Sequence, residues 1–215
     1  MRIRRLDILL GLIDRFGYSS YLEIGVAGGA TFRHIPLRDK VGVDPQWRLW
    51  YALDPKVRKV TSDRFFARNR RDFDLVFVDG LHHAEQAYRD IVHALEVLRP
   101  GGTVLVHDCM PEDEAQQAVP RRQTSWTGDV WRAFLKVSQD DRLTTLIFDA
   151  NRGCGLIRRQ PRPPAAPRPP AGVDPLDPQL SWAEYEAHRH RWQRIVPESE
   201  VWTVLDELAV ASAEA

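Results

Sequence analysis

FDLVFVDGLHHAEQAYRDIVHALEVLRPGGTVLVHDCMP, residues 73–111, carries three local signals in succession. Residues 74–79 (DLVFVD) are short, apolar and rich in β-branched side chains, and residues 102–107 (GTVLVH) repeat that pattern. Between them, residues 84–98 place Tyr88, Ile91, Val92, Leu95 and Leu98 on one helical face. Arg99-Pro100-Gly101-Gly102 stops that helix and turns the chain into the next strand. Strand, helix and strand joined by short links predict a parallel βαβ unit.

The same alternation extends in both directions. Residues 20–25 (SYLEIG) and 41–44 (VGVD) read as earlier strands, residues 129–137 (DVWRAFLKV) as a helix, and residues 143–149 and 154–158 as two final strands joined by a tight Asn-Arg-Gly turn. The N-terminal MRIRRLDILLGLIDRFG superficially resembles a signal peptide, but Asp14 and Arg15 interrupt its apolar part and no small-residue cleavage site follows. It reads as an amphipathic helix packed beside the sheet. Residues 1–160 thus form an α/β domain with a parallel sheet covered on both faces. Residues 161–178 (PRPPAAPRPPAGVDPLDP) hold eight of the 15 prolines and read as a polyproline-type strap. Residues 179–215 read as a C-terminal helical appendage, with Trp182, Tyr185, Arg189, Trp192 and Ile195 near one face.

Composition narrows the function classes. The 30 basic and 30 acidic residues leave no net charge, which argues against a dedicated nucleic-acid binder. No apolar run approaches the roughly 18 residues of a membrane span. Two cysteines, Cys109 and Cys154, make no disulfide framework. A cytoplasmic enzyme with a small-molecule substrate, no nucleic acid and no membrane is the expectation.

The ligand signal lies in YLEIGVAGGATF, residues 21–32. A glycine-rich turn after the first strand, expected here to open a helix, lets a ligand approach the backbone near the positive end of a helix dipole. Asp44 follows Gly25 by 19 residues and closes the second strand, where an acid accepts hydrogen bonds from ribose hydroxyls. A dinucleotide fingerprint reads G-x-G-x-x-G/A, and Ala27 stands where its middle glycine would let a pyrophosphate sit. Glu23 would also be poorly placed beside phosphates. The ligand is therefore expected to be a nucleoside without phosphate. A turn needed only for strand–helix packing is the alternative.

A second constellation lies at the strand ends. Asp79 closes one strand and His107-Asp108 the next, and neighbouring strands about 4.8 Å apart bring these side chains to the same edge. Carboxylates and imidazoles crowded into one cleft need a shared cation or a shared proton, and a divalent metal is the expected cation. His82 lies three residues after Asp79 and can face the same cleft, whereas His83 points elsewhere and His93 lies mid-helix.

The spacing E-x-G-x-x-x-G at Glu23, Gly25 and Gly29 resembles the first motif of class I S-adenosylmethionine-dependent methyltransferases. DGLHH, RPGG, HDC and GDVWRAF are similar to the methyltransferase domain 24 group, to which the metal-dependent macrolide-sugar O-methyltransferases and cephalosporin hydroxylase-like proteins are related. The resemblance covers most of residues 18–158. It implies a Rossmann-like fold with a seven-stranded, mostly parallel sheet, and S-adenosylmethionine held by Glu23, Gly25, Ala27, Gly29, Asp44, Asp63 and Asp79. It further implies a divalent metal at Asp79, His107 and Asp108, with His82 as general base and Asp79 as its catalytic companion. One departure is plain: His107 stands where the metal-binding relatives have an acid. Histidine is a poor ligand for Mg²⁺ and suits Mn²⁺, Fe²⁺ or Zn²⁺ better, so the site reads as altered in metal, weak in metal or metal-free.

The expected reaction is O-methylation of a hydroxyl on a sugar or small natural product. Phe65 and Phe66 read as core. Residues 112–128 read as a lid anchored by Trp126, and Arg121-Arg122 as a solvated pair. The C-terminal helices are expected to cap the domain or a partner subunit, giving a homodimer. An NAD-dependent oxidoreductase and a non-catalytic S-adenosylmethionine-binding protein are the competing readings.

Overall fold

The computed structural model describes residues 2–46, 54–161, 163 and 165–213. Its centre is an eight-stranded sheet built from β1 (Ser20–Ile24), β2 (Asp39–Val43), β3 (Val57–Arg58), β4 (Phe73–Val78), β5 (Leu98–Val106), β6 (Thr144–Asp149), β7 (Cys154–Arg158) and β8 (Ile195–Pro197). The order across the sheet is β3-β2-β1-β4-β5-β7-β6-β8. Strand β7 runs antiparallel to both its neighbours, and every other pairing is parallel. The sequence reading of a mostly parallel sheet agrees, with one strand more than the seven expected.

Helices cover both faces. On one lie α1 (Arg5–Phe16) and α7 (Val201–Ala213), packed on Tyr21, Leu75, Phe77 and Leu156. On the other lie α3 (Ala84–Glu96) and α5 (Val130–Val137), packed on Leu22, Val76, Val104 and Ile157. Strands buried on both faces explain the near-continuous apolar runs of β1, β4 and β5.

The C-terminal segment is tied into this frame. Helix α6 (Trp182–Trp192) lays Tyr185 on Trp131 with ring centroids 4.0 Å apart, and Ile195, expected on a helical face, instead starts β8. The strap runs along α5, whose side Arg132, Lys136 and Gln139 engage the carbonyls of Pro175, Leu180 and Val173 and the carboxylate of Asp174. Arg158, fully buried, joins sheet to C-terminus by donating to Gly101 O and Ser212 Oγ. Among the described residues no helix is long and apolar enough to cross a membrane.

Candidate active site

The chain order builds β1, β2 and β3 outward in one direction and then returns to place β4 on the other side of β1. This reversal is the switch point at which open α/β sheets bind ligands, beyond the carboxyl ends of the strands. Gly25 and Asp79 close β1 and β4 there, and they touch: a Cβ on Gly25 would lie 1.9 Å from the Asp79 carbonyl oxygen. Gly25 also has φ +89°, so both contact and conformation call for glycine.

The glycine turn does not open the helix expected of it. Only a 3₁₀ turn forms, over Phe32–His34, and Pro36 follows within two residues. The residue before a proline is driven out of the helical region, so a helix has no room to propagate. Asp44 organises the loop instead. Its Oδ2 accepts from the Ala27 N–H at 2.7 Å and its Oδ1 from the Gln46 N–H at 2.8 Å. That bond clamps Ala27 at φ +43°, a left-handed conformation costly for alanine.

A cavity of 310 Å³ opens at this edge. Of the residues expected to hold a cofactor, Gly25, Ala27, Asp44, Asp63 and Asp79 line it, whereas Glu23 and Gly29 do not. Glu23 points into the α1 side of the sheet, is 1% exposed and accepts from the Tyr21 hydroxyl at 2.6 Å. Burial there pushes its pKa up to about 8. Asp63 is half-exposed on α2 (Ser62–Phe66), where Gln86 Nε2 donates to it at 3.2 Å and Arg89 lies 3.5 Å away. Asp90 also lines the cavity, and burial raises its pKa. Its position beside Ala87, Ile91 and Ala94, an acid on the buried stripe of α3, was the sequence signal for it.

Asp79 belongs to a second group as well. Its Oδ1 lies 3.2 Å from His107 Nδ1 and 3.4 Å from His82 Nε2. Asp108 Oδ2 lies 3.3 Å from His82 Nδ1, and neither of these buried atoms makes a hydrogen bond among the described residues. Two residues of one loop hold His82 in this position. Trp126 stacks on its ring at 5.2 Å between centroids, and a Cβ on Gly128 would fall 1.9 Å from the His82 carbonyl oxygen. Asp129 then accepts from the Ala84 N–H and caps α3. The GDVW stretch thus places His82.

Asp79, His82 and Asp108 each offer one ligand atom, all within 4.8 Å of one another. The expected set had His107 in place of His82. His107 is instead turned inward, 1% exposed, with Nδ1 between Asp79 Oδ1 and Asp108 Oδ1, 3.2 Å from each, and Nε2 3.3 Å from Asn151 Oδ1. Burial opposes its charge, but the Asp79 and Asp108 carboxylates outweigh burial and raise its pKa to about 9. Burial likewise opposes ionisation of Asp79, yet the charge of His107, hydrogen bonds from His107 and His82, and Arg5 hold that carboxyl well below the usual range.

Three residues of this group were missed in the sequence. Arg152 Nε donates to Asp108 Oδ1 at 2.7 Å, Arg5 Nε lies 3.7 Å from Asp79 Oδ2, and Asn151 Oδ1 accepts from the Arg5 backbone N–H at 3.1 Å. Asn151 and Arg152 come from the Asn-Arg-Gly turn, whose left-handed residues (φ +51° and +66°) aim both side chains at the strand ends. They also line a further cavity of 800 Å³ with Arg4, Glu112 and Arg189.

The sequence model of a methyltransferase domain family, that of the methyltransferase domain 24 group, matches residues 22–109. That span begins in β1 and ends just past Asp108, so it contains both the glycine loop and the Asp79–Asp108 pair. Over residues 22–109 the chain is similar to this methyltransferase domain family. Solved structures share the fold of this methyltransferase domain. A candidate caffeoyl-CoA O-methyltransferase from Staphylococcus aureus is 16% identical, with a TM-score of 0.55 over 72% of this chain and 83% of that one. The S-adenosylhomocysteine-bound methyltransferase PaMTH1 of Podospora anserina is 16% identical, with a TM-score of 0.53 over 74% and 80%. DesVI of Streptomyces venezuelae is 16% identical, with a TM-score of 0.50 over 72% and 92%. Comparison with curated proteins finds no match.

Proposed function

We propose that the chain is an S-adenosylmethionine-dependent O-methyltransferase acting on a hydroxyl of a sugar or other small natural product, with His82 as general base. The observation that carries this reading is the double membership of Asp79, which forms part of the 310 Å³ cavity wall and also contacts His82. Donor and base therefore meet at one residue.

The nucleoside of the donor fits the cavity between the glycine turn and α2. Asp44 uses one lone pair of each carboxylate oxygen on backbone N–H groups, leaving the others for ribose hydroxyls. The Thr61–Asp63 stretch borders the adenine end. In the proposed reactive form His82 keeps its hydrogen on Nδ1, 3.3 Å from Asp108 Oδ2, and Nε2, having given up the hydrogen it directs at Asp79 Oδ1, offers its lone pair to the acceptor. Nε2 takes the acceptor's hydroxyl proton as the oxygen attacks the sulfonium methyl. The S–CH₃ bond breaks with its electron pair going to sulfur, which leaves neutral S-adenosylhomocysteine. Asp79 beside Nε2 stabilises the imidazolium that forms. Trp126 over the ring limits its rotation and keeps water from that face. Positioning of donor and acceptor supplies much of the remaining acceleration. The 800 Å³ cavity bordered by Asn151 and Arg152 is the space assigned to the acceptor. The O-methyltransferase named among the solved neighbours supports oxygen as the methylated atom.

The test combines S-adenosylhomocysteine calorimetry with methyl transfer to a panel of polyhydroxylated acceptors. His82→Gln is expected to bind S-adenosylhomocysteine like the parent and to lose about 10²–10⁴-fold in turnover. Unchanged turnover in that variant would sink the mechanism, and absence of S-adenosylhomocysteine binding by the parent chain would sink the function.

A further inference from the structure

The hydrogen bonds around His107 determine its charge. The backbone N–H of Arg5 donates to Asn151 Oδ1, which fixes that amide with its oxygen toward the cluster. His107 Nε2 faces the same oxygen and, because an amide oxygen only accepts, must carry a hydrogen. His107 Nδ1 faces two carboxylate oxygens and must carry one too. With both nitrogens donating, the ring is an imidazolium and has no lone pair for a metal.

Two further cations complete the group. Arg152 bonds Asp108 Oδ1, and Arg5 approaches Asp79 Oδ2. Three positive groups thus surround two carboxylates, one of which, Asp108, is wholly buried. A dication gathered by Asp79, His82 and Asp108 would enter a site already in positive excess and at low local dielectric. The donor atoms converge as a metal site's do, but the charge they need is already supplied.

We propose that His107 stands in place of a divalent ion between Asp79 and Asp108, and that this methyltransferase site binds no metal. The crowded carboxylates of the strand ends are reconciled by shared protons on an internal cation. Because proton abstraction then has no metal to acidify the acceptor hydroxyl, His82 and its Asp108 partner carry that step alone. His107 acts as a positioning residue: it orients Asp79 and Asp108 and touches neither donor nor acceptor.

Metal binding is read without methyl transfer, so its outcome is separable from that of the proposed reaction. The full chain is titrated with Mn²⁺ and followed by electron paramagnetic resonance, and with Zn²⁺ by calorimetry, with and without S-adenosylhomocysteine. The parent is expected to leave the Mn²⁺ signal undiminished and to show no stoichiometric Zn²⁺ uptake. His107→Asp, which replaces the cation by an acid, is expected to gain a bound Mn²⁺ per chain, at least about tenfold tighter than the parent, because ligand charge governs affinity for hard ions. His107→Gln removes the charge and keeps a polar side chain; Mn²⁺ should raise its melting temperature and leave the parent's unmoved. Stoichiometric Mn²⁺ or Zn²⁺ in the parent that is lost in Asp79→Asn overturns the proposal. So does a folded His107→Asp that binds Mn²⁺ no better than the parent. Should both His107 variants fail to fold, the parent titration decides alone.

Discussion

The carbonyl oxygen of Asp79 occupies the space beside Gly25 that any side chain would need, 1.9 Å from the position of a Cβ. The two residues end adjacent parallel strands, and Asp79 N–H also donates to Ile24 O at 2.8 Å. The end of β1 and the end of β4 are thus one rigid unit, carrying the glycine loop on one side and His82 on the other. Gly25→Ala should therefore separate the strand ends. The expected loss is about 3 kcal/mol or more in chemical denaturation, together with loss of S-adenosylhomocysteine binding. Gly28→Ala in the same turn is the control, since nothing lies within 4 Å of its Cβ position; its stability should stay within about 0.5 kcal/mol of the parent.

Asp44 both braces the loop and faces the cavity. Asp44→Ala leaves the N–H groups of Ala27 and Gln46 without their acceptor, which costs about 1–3 kcal/mol. Calorimetry should show S-adenosylhomocysteine affinity falling by at least about tenfold, equivalent to 1.4 kcal/mol. Wild-type affinity in this variant would remove Asp44 from the proposed donor site.

Glu23 makes stability depend on pH. Its folded pKa of about 8 lies above the value of 4.5 it has when unfolded, so the folded state binds the extra proton between these values. Stability is therefore expected to fall as pH rises from about 4.5 to about 8, with a limiting slope near 1.4 kcal/mol per pH unit from this residue. Glu23→Gln cannot ionise and should flatten this part of the profile, becoming more stable than the parent at pH 8. Denaturant titrations at pH 5.5 and pH 8 give the comparison, and parallel profiles for the two proteins would refute the assignment.

Gly128 supports His82 from outside the 310 Å³ cavity. It has φ +61° and no room for a Cβ against the His82 carbonyl oxygen. Gly128→Ala should shift the base while leaving the glycine loop intact. Turnover is expected to fall about 10²-fold, as for an ångström-scale misplacement, with S-adenosylhomocysteine affinity preserved. Parallel losses in both measurements would show a general structural effect instead.

The sequence was most legible where local periodicity and tertiary environment agree. In residues 73–111 the strand and helix patterns are each complete within a few residues, so β4, α3 and β5 were readable, and with them the placement of Asp79 and Asp108 at one edge. Glu23 was misread because β1 is buried on both faces, and a strand apolar throughout does not show which side each residue takes. The helix expected after the glycine turn yielded to Pro36. Ile195 continued a helical pattern but follows the end of α6 at Trp192, where the chain adds a strand to β6.

Sequence alone determined the α/β class, the glycine loop with Asp44 at the end of the neighbouring strand, and the meeting of acids and imidazoles at the strand ends. These follow from strand spacing and side-chain alternation, which are local and repeat in every sheet of this kind. Only the tertiary structure decided the charge of that meeting. Arg5, Asn151 and Arg152 come from segments 74 residues before Asp79 and over 40 residues after Asp108, and an arginine reads in sequence as an ordinary solvated surface residue. Folding brings them against buried carboxylates, where low dielectric makes each charge decisive and turns His107 from a candidate ligand into a cation.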